Sequence, residues 1–439
     1  MKKKVSVLPY EKAGDSVRRA VESCGGLDAM PSRARVFIKP NIVYWTRAAA
    51  FPKWGVITTS RVVEDIVILL KEKGINDIII GEGSVTMNPK DRESQKHAYE
   101  TMGYGLLEKR YGVRAVNIFD RPFQKRDLGD GITLRFNSDI LESDFAVNLP
   151  VLKTHAQTIV SLGIKNLKGV IDIPSRKKCH NADPEKDLHY HVARLADRMP
   201  PMLTLIDGIF CNERGPAFDG RIRRSNLLLA SGDVLAADMV GARILGYAPS
   251  DIPHLRYAAQ NRGRCADLSD IEIIGEQPED VAMSLQYAFP YNPEKTLPLP
   301  MEKMGIRGLA YRPYDLSMCT YCSGMNGLIL SAIALAWQGK AFDNVEVLTG
   351  KIMKASPGMK KTILLGKCMY KKNKDNPDIR EMIAVKECPP RPESVIAAFH
   401  KAGIGIDPEI IRNMESMPVF FMERYKGREE FTEDFFRIE

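Results

Sequence analysis

Residues 61–84 read RVVEDIVILLKEKGINDIIIGEGS, and this stretch decides the fold. Val62, Val63, Ile66, Leu69 and Leu70 recur at helical spacing over 61–73, and Gly74 stops the pattern. Three consecutive isoleucines in 77–80 then read as a buried strand. A helix, a glycine and an apolar strand in 24 residues are half of a βαβ unit. The other strands follow the same logic outward: residues 5–8 and 35–38 before it, and 115–117, 145–148, 203–206 and 226–230 after it. Residues 234–245 read as another helix. Strands alternating with helices predict an α/β fold with a larger N-terminal domain built on a mostly parallel sheet.

The length, 439 residues, exceeds one ordinary core and predicts two domains. Pro278, Pro290, Pro293, Pro298 and Pro300 break periodicity across 276–300. The expected division is a domain over 1–275 with a candidate substrate site, a linker or crossover over 276–300, and a smaller α/β domain over 301–439. In that domain 345–348, 361–365 and 381–385 read as strands, and 325–337, 392–402 and 408–414 as helices. The tail after Pro418 is aromatic and charged and is expected to pack back on the body. Composition is that of a globular protein, 44% apolar and 27% charged. A net charge of +8 with scattered basic residues, apart from a stretch near 165–178, argues against a nucleic-acid partner. No segment approaches the ~20 apolar residues of a membrane span, so no membrane partner and a cytoplasmic location are expected.

Eight cysteines in so long a chain are no disulfide framework. Cys319 and Cys322 form a C-x-x-C pair ahead of a helix, Cys368 follows the strand 361–365, and Cys388 follows the strand 381–385. Ligands bind at the carboxyl ends of strands in open α/β sheets, so three loops deliver four sulfurs to one crevice. Four thiolates suit a [4Fe–4S] cluster. Zinc is the alternative, although structural zinc sites usually present two paired knuckles. The closed ligand set argues for electron transfer rather than an open catalytic iron.

Gly366-Lys367-Cys368, followed by Cys388-Pro389-Pro390-Arg391-Pro392-Glu393, resembles the cluster-binding segment of the quinone-oxidoreductase and nickel–iron hydrogenase small subunits. That resemblance implies a [4Fe–4S] cluster on Cys319, Cys322, Cys368 and Cys388 in a flavodoxin-like C-terminal domain.

The larger domain carries a second constellation. Lys153-Thr154-His155 follows the strand 145–148, and Gly163-Ile164-Lys165-Asn166-Leu167-Lys168-Gly169 comes soon after. Lysines and donor-rich loops after strand ends suit an anion. Lys39-Pro40-Asn41 and Gly81-Glu82-Gly83-Ser84 also follow strands. The expected reacting groups are Lys153, His155 and Lys165, and the expected anion contacts are Lys39, Asn41, Ser84, Thr154, Asn166 and Lys168. The alternative is an amphipathic helix over 158–167 with a solvated basic face. Together with Asp207-Gly208 and Gly215-Pro216, these motifs resemble, in their order, the domain-of-unknown-function 362 family over about 30–275. The resemblance implies iron–sulfur association in anaerobic metabolism. Many members carry a ferredoxin-like segment of dense C-x-x-C pairs, which this chain lacks.

These readings predict an iron–sulfur redox enzyme or electron-transfer component acting on an anionic small molecule. No flavin fingerprint is visible, so an external electron donor such as a ferredoxin is implied. The alternatives are a non-redox isomerase or lyase with a structural cluster, and a protein that carries a cluster to a partner.

Overall fold

The quoted stretch forms a helix over Ser60–Glu72 and a fully buried strand over Ile78–Glu82. Lys73 and Gly74 close the helix through the Leu69 and Lys71 carbonyls, with Gly74 at φ +79°. The computed structural model describes residues 2–85 and 91–438. It divides into a larger unit, Met1–Arg176, His189–Ala288 and Pro418–Glu439, and a smaller one, Lys177–Leu188 and Phe289–Met417.

The strands of the larger unit are β1 (Lys3–Pro9), β2 (Val36–Pro40), β3 (Ile78–Glu82), β4 (Arg114–Asn117), β5 (Phe123–Asp127), β6 (Thr133–Asn137), β7 (Phe145–Leu149), β8 (Val151–His155), β9 (Ile159–Val160), β10 (Met202–Glu213), β11 (Arg221–Ser231) and β12 (Ile271–Gly275). The main sheet runs β12-β1-β11-β10-β7-β2-β3-β4, with β8 paired to β10 and β9 to β8. Its path from β10 through β7, β2 and β3 to β4 is parallel, whereas β11 pairs antiparallel with both β1 and β10. The separate pair β5–β6 is an antiparallel hairpin. Val36, Ile38, Val62, Ile66, Val147 and Leu205 are at most 1% exposed, so the core lies between the sheet and its helices.

Three expectations change here. Residues 203–206 were expected to end a strand before Asp207-Gly208, but β10 continues through both. A register shift after Gly208 absorbs the bend. The tail after Pro418 belongs to the larger unit instead of the 301–439 domain. Trp54 donates to the Thr432 carbonyl, Ile222 N donates to the Tyr425 hydroxyl, and Phe431 meets the Trp54 ring edge at 5.7 Å. The expected linker is also divided. Residues up to Ala288 stay with the larger unit, where Gln286 O accepts from Arg214 N and Gln286 N donates to Glu213.

In the smaller unit, β13 (Leu309–Tyr311), β14 (Val345–Leu348), β15 (Lys361–Leu365) and β16 (Glu381–Val385) form one parallel sheet in sequential order. Flavodoxin order begins 2-1-3. The parallel α/β character is therefore present, while the flavodoxin-like strand order is not. Leu348, Ala355, Leu364 and Met369 make a core on this sheet.

Candidate functional site

In the smaller unit a shallow cleft lies beyond the carboxyl ends of β14, β15 and β16. Cys319, Cys322, Cys368 and Cys388 all line it, with Ser317, Lys351, Lys367 and Glu387. Cys319 is the N-cap of the helix Thr320–Leu335, and its carbonyl accepts from Cys322 N and Ser323 N. Sequence reading put both cysteines before the helix; Cys322 lies inside its first turn. Cys368 lies in the first turn of the helix Lys367–Asn373. Gly366 opens that turn at φ +90°, a conformation side chains rarely adopt, and a Cβ there would stand 3.5 Å from Cys322 Sγ.

The sulfurs are electrostatically unequal. The hydrogen bond with the Cys322 thiol, helped by the Tyr321 backbone N–H and the Lys351 charge, holds the Cys319 thiol below the usual thiol range. Donating that bond, together with burial, pushes Cys322 up. Burial also raises Cys368. Lys177 Nζ lies 3.8 Å from Cys388 Sγ and 4.8 Å from the Tyr321 ring centroid. Lys351 Nζ donates to the Lys177 and His180 carbonyls and so fixes the 177–180 segment within this unit. Among the described residues, no three His, Cys, Asp or Glu side chains gather as they would around a single metal ion. Cys24, Cys179 and Cys211 are buried and do not line the cleft, and Cys265 is exposed.

The larger unit gathers the strand-end residues into a buried polar network. Lys39 Nζ donates to Glu82 Oε2 at 2.6 Å, the Pro40 carbonyl at 2.6 Å and Asn166 Oδ1 at 3.3 Å. Lys153 Nζ donates to Asn41 Oδ1 at 2.7 Å and to the carbonyls of Val56 at 2.6 Å and Pro216 at 3.1 Å. Both lysines are 0% exposed. An ammonium has three donors, and each of these lysines has three protein acceptors. Asn41 Nδ2 donates to Asn166 Oδ1, and Asn166 Nδ2 to Asn148 Oδ1. Ile42 N and Gly83 N bind the two Glu82 oxygens. Burial pulls Lys39 below the usual lysine range and Lys153 down to about 7, while Glu82 opposes both shifts.

Lys39, Asn41 and Lys153, expected at an anion or reaction site, meet protein partners in this network. Their polar groups tie β2, β3 and β8 to the helix Leu162–Asn166. Gly169 is packed against this network. A Cβ on Gly169 would lie 2.5 Å from both Glu82 Oε1 and Lys39 Cε. Gly169→Ala is therefore expected to lower stability by about 1–3 kcal/mol through overpacking. Urea unfolding checks this, and an unchanged midpoint would contradict the close approach.

The remaining expected residues divide. Thr154 Oγ1 accepts from Arg214 N and donates to the Gln286 carbonyl. Ser84 and Lys168 are buried, and Ser84 Oγ has no hydrogen-bond partner among the described residues. His155 and Lys165 do pair, with Nε2 and Nζ 3.2 Å apart. His155 Nδ1 accepts from Gln157 N and Thr158 N, so the neutral ring carries its proton on Nε2, facing the lysine. The basic helix considered over 158–167 is instead the short strand β9 and a five-residue helix.

The family model described as domain of unknown function (DUF362) matches residues 36–243. A thylakoid-associated protein of Synechocystis sp., sll1697, is 30% identical over 272 residues, which cover 60% of this chain and 80% of that protein. The chain belongs to the DUF362 family. The DUF362 match contains the whole buried lysine network and ends before the four cysteines. The lactate racemase apoprotein of Thermoanaerobacterium thermosaccharolyticum aligns with a TM-score of 0.35 at 16% identity, over 57% of this chain and 58% of that one. Among the described residues no helix is long and apolar enough to cross a membrane.

Sequence reasoning missed Glu82, Asn148, Lys177 and Lys351. The signal for Glu82 was an acid between two glycines at a strand end. The signal for Lys351 was its place after Gly350, just past β14.

Proposed function

We propose that this DUF362 protein is an iron–sulfur electron-transfer protein or redox enzyme, with one [4Fe–4S] cluster on Cys319, Cys322, Cys368 and Cys388. The observation that carries the proposal is that four sulfurs from three separate segments line one cleft. The donor set fits the group: soft thiolates at a helix start, with two lysines beside them to offset negative charge. A single zinc ion fits less well, because structural zinc sites usually present two paired knuckles, whereas here Cys368 and Cys388 come singly from two segments. When bound, the cluster would supply one-electron storage and relay. The chain's own part is to hold the thiolates, to place Lys177 and Lys351 against them, and to bind an anionic small molecule near His155 and Lys165. Reduced thiolates suit a reducing compartment such as the cytoplasm.

A second reading has the His155–Lys165 contact behind it. There the larger unit does proton chemistry as an isomerase or lyase and the cluster is structural. Anaerobic redox titration followed by paramagnetic resonance tests the first reading. A signal that appears on reduction and disappears on reoxidation is expected. A brown protein whose cluster cannot be cycled would favour the second reading, and a colourless protein would overturn both.

A further inference from the structure

Lys351 and Lys367 line the thiolate cleft, Lys371, Lys372 and Lys386 lie close by in sequence, and the acid that lines the cleft, Glu387, is bonded by Arg391. Lys177 reaches Cys388. Lys371 and Lys372 follow Cys368 by three and four positions on one short helix, which puts them on the face that carries the cysteine. Both are exposed, as are Lys367 and Lys386. Lys386 Nζ sits 4.5 Å from the Tyr370 ring centroid. Among the described residues none of Lys367, Lys371, Lys372 and Lys386 forms a salt bridge, so the rim's charge is not neutralised within the protein. Ile352, 44% exposed, offers an apolar contact next to Lys351.

We propose that this cationic rim is the docking face for an acidic electron-carrier protein, a step that rests on the iron–sulfur reading. Three observations favour such a carrier over a small anion. The cations come from several separate segments, Lys177, Lys351, the helix with Lys367, Lys371 and Lys372, and Lys386, more than one small anion pairs with. Cys368 and Cys388 are exposed, so a group held there would lie close to a docked protein surface. An apolar residue lies beside the lysines, as in small transient interfaces steered by charge. Long-range attraction sets the encounter rate, and salt screens it.

The test uses the full chain and a purified acidic [2Fe–2S] ferredoxin as probe, with affinity read by surface plasmon resonance and contacts by zero-length carbodiimide cross-linking. The Kd is expected to rise about tenfold or more in Lys371→Glu/Lys372→Glu. It should also rise as salt shortens the screening length from about 30 Å to about 3 Å. Lys371→Gln/Lys372→Gln should fall between, and Lys340→Glu, outside the rim, should bind as the wild type does. Cross-links should map to Lys367, Lys371, Lys372 or Lys386. An unchanged Kd in the double glutamate variant with an intact cluster absorbance would overturn the docking face and leave the cluster standing. Tighter binding of duplex DNA or of anionic vesicles, lost in the same variant, would assign the rim to another partner class and overturn it too. A preparation without iron removes the reading beneath it.

Discussion

Glu82→Ala is expected to destabilise the larger unit by about 3–5 kcal/mol, because it strands a buried ammonium. Lys39 is 0% exposed, and Glu82 is the carboxylate that pairs with it, at 2.6 Å. Removing Glu82 also leaves Ile42 N and Gly83 N without their acceptor. Each unpaired buried donor adds about 1–3 kcal/mol of desolvation cost, partly relieved by relaxation. The two effects share one site and will not add simply. Combining Glu82→Ala with Lys39→Met removes the stranded charge, so the double variant should recover part of the loss. Urea unfolding of the single and double variants checks both. A single-variant cost below about 1 kcal/mol, or a double variant worse than either single, would contradict the account of the network.

Cys368→Ala should release the cluster and loosen the smaller unit. Loss of a partner outside the ligand shell already costs about 10–100-fold in metal affinity, and loss of a ligand should cost more. Binding energy at such a site is also folding energy, so the smaller unit should become more sensitive to heat and protease. Cys368 belongs to the helix Lys367–Asn373, and its neighbour Met369 is part of that unit's core. Iron retained after anaerobic desalting, measured beside limited proteolysis, tests this. Full retention of iron in the variant would remove Cys368 from the ligand set.

Local chemistry was legible in the sequence. The helix, glycine and isoleucine strand of 61–84 formed as read, because spacing and burial are properties of a short window. The same holds for Cys368 and Cys388, whose places just past β15 and β16 follow from strand runs that end where polar residues begin. Long-range pairing was not legible. Nothing in Lys39-Pro40 or Lys153-Thr154 tells a lysine facing a ligand from one whose three donors meet Glu82, asparagines and carbonyls. The partners of Lys153 lie 112 (Asn41), 97 (Val56) and 63 (Pro216) positions away. The repeated crossing of the chain between units, at 177–188 and again at 418–439, rests on contacts as distant as Trp54 with Thr432. The basic rim escaped notice because its lysines are spread along 36 residues and converge only when β14, β15 and β16 align.

Iron K-edge X-ray absorption on the anaerobically purified full-length protein probes the cleft most directly. The account predicts about four irons per chain, an all-sulfur first shell and a clear iron–iron shell. A first shell of nitrogen and oxygen, or zinc in place of iron, would contradict it.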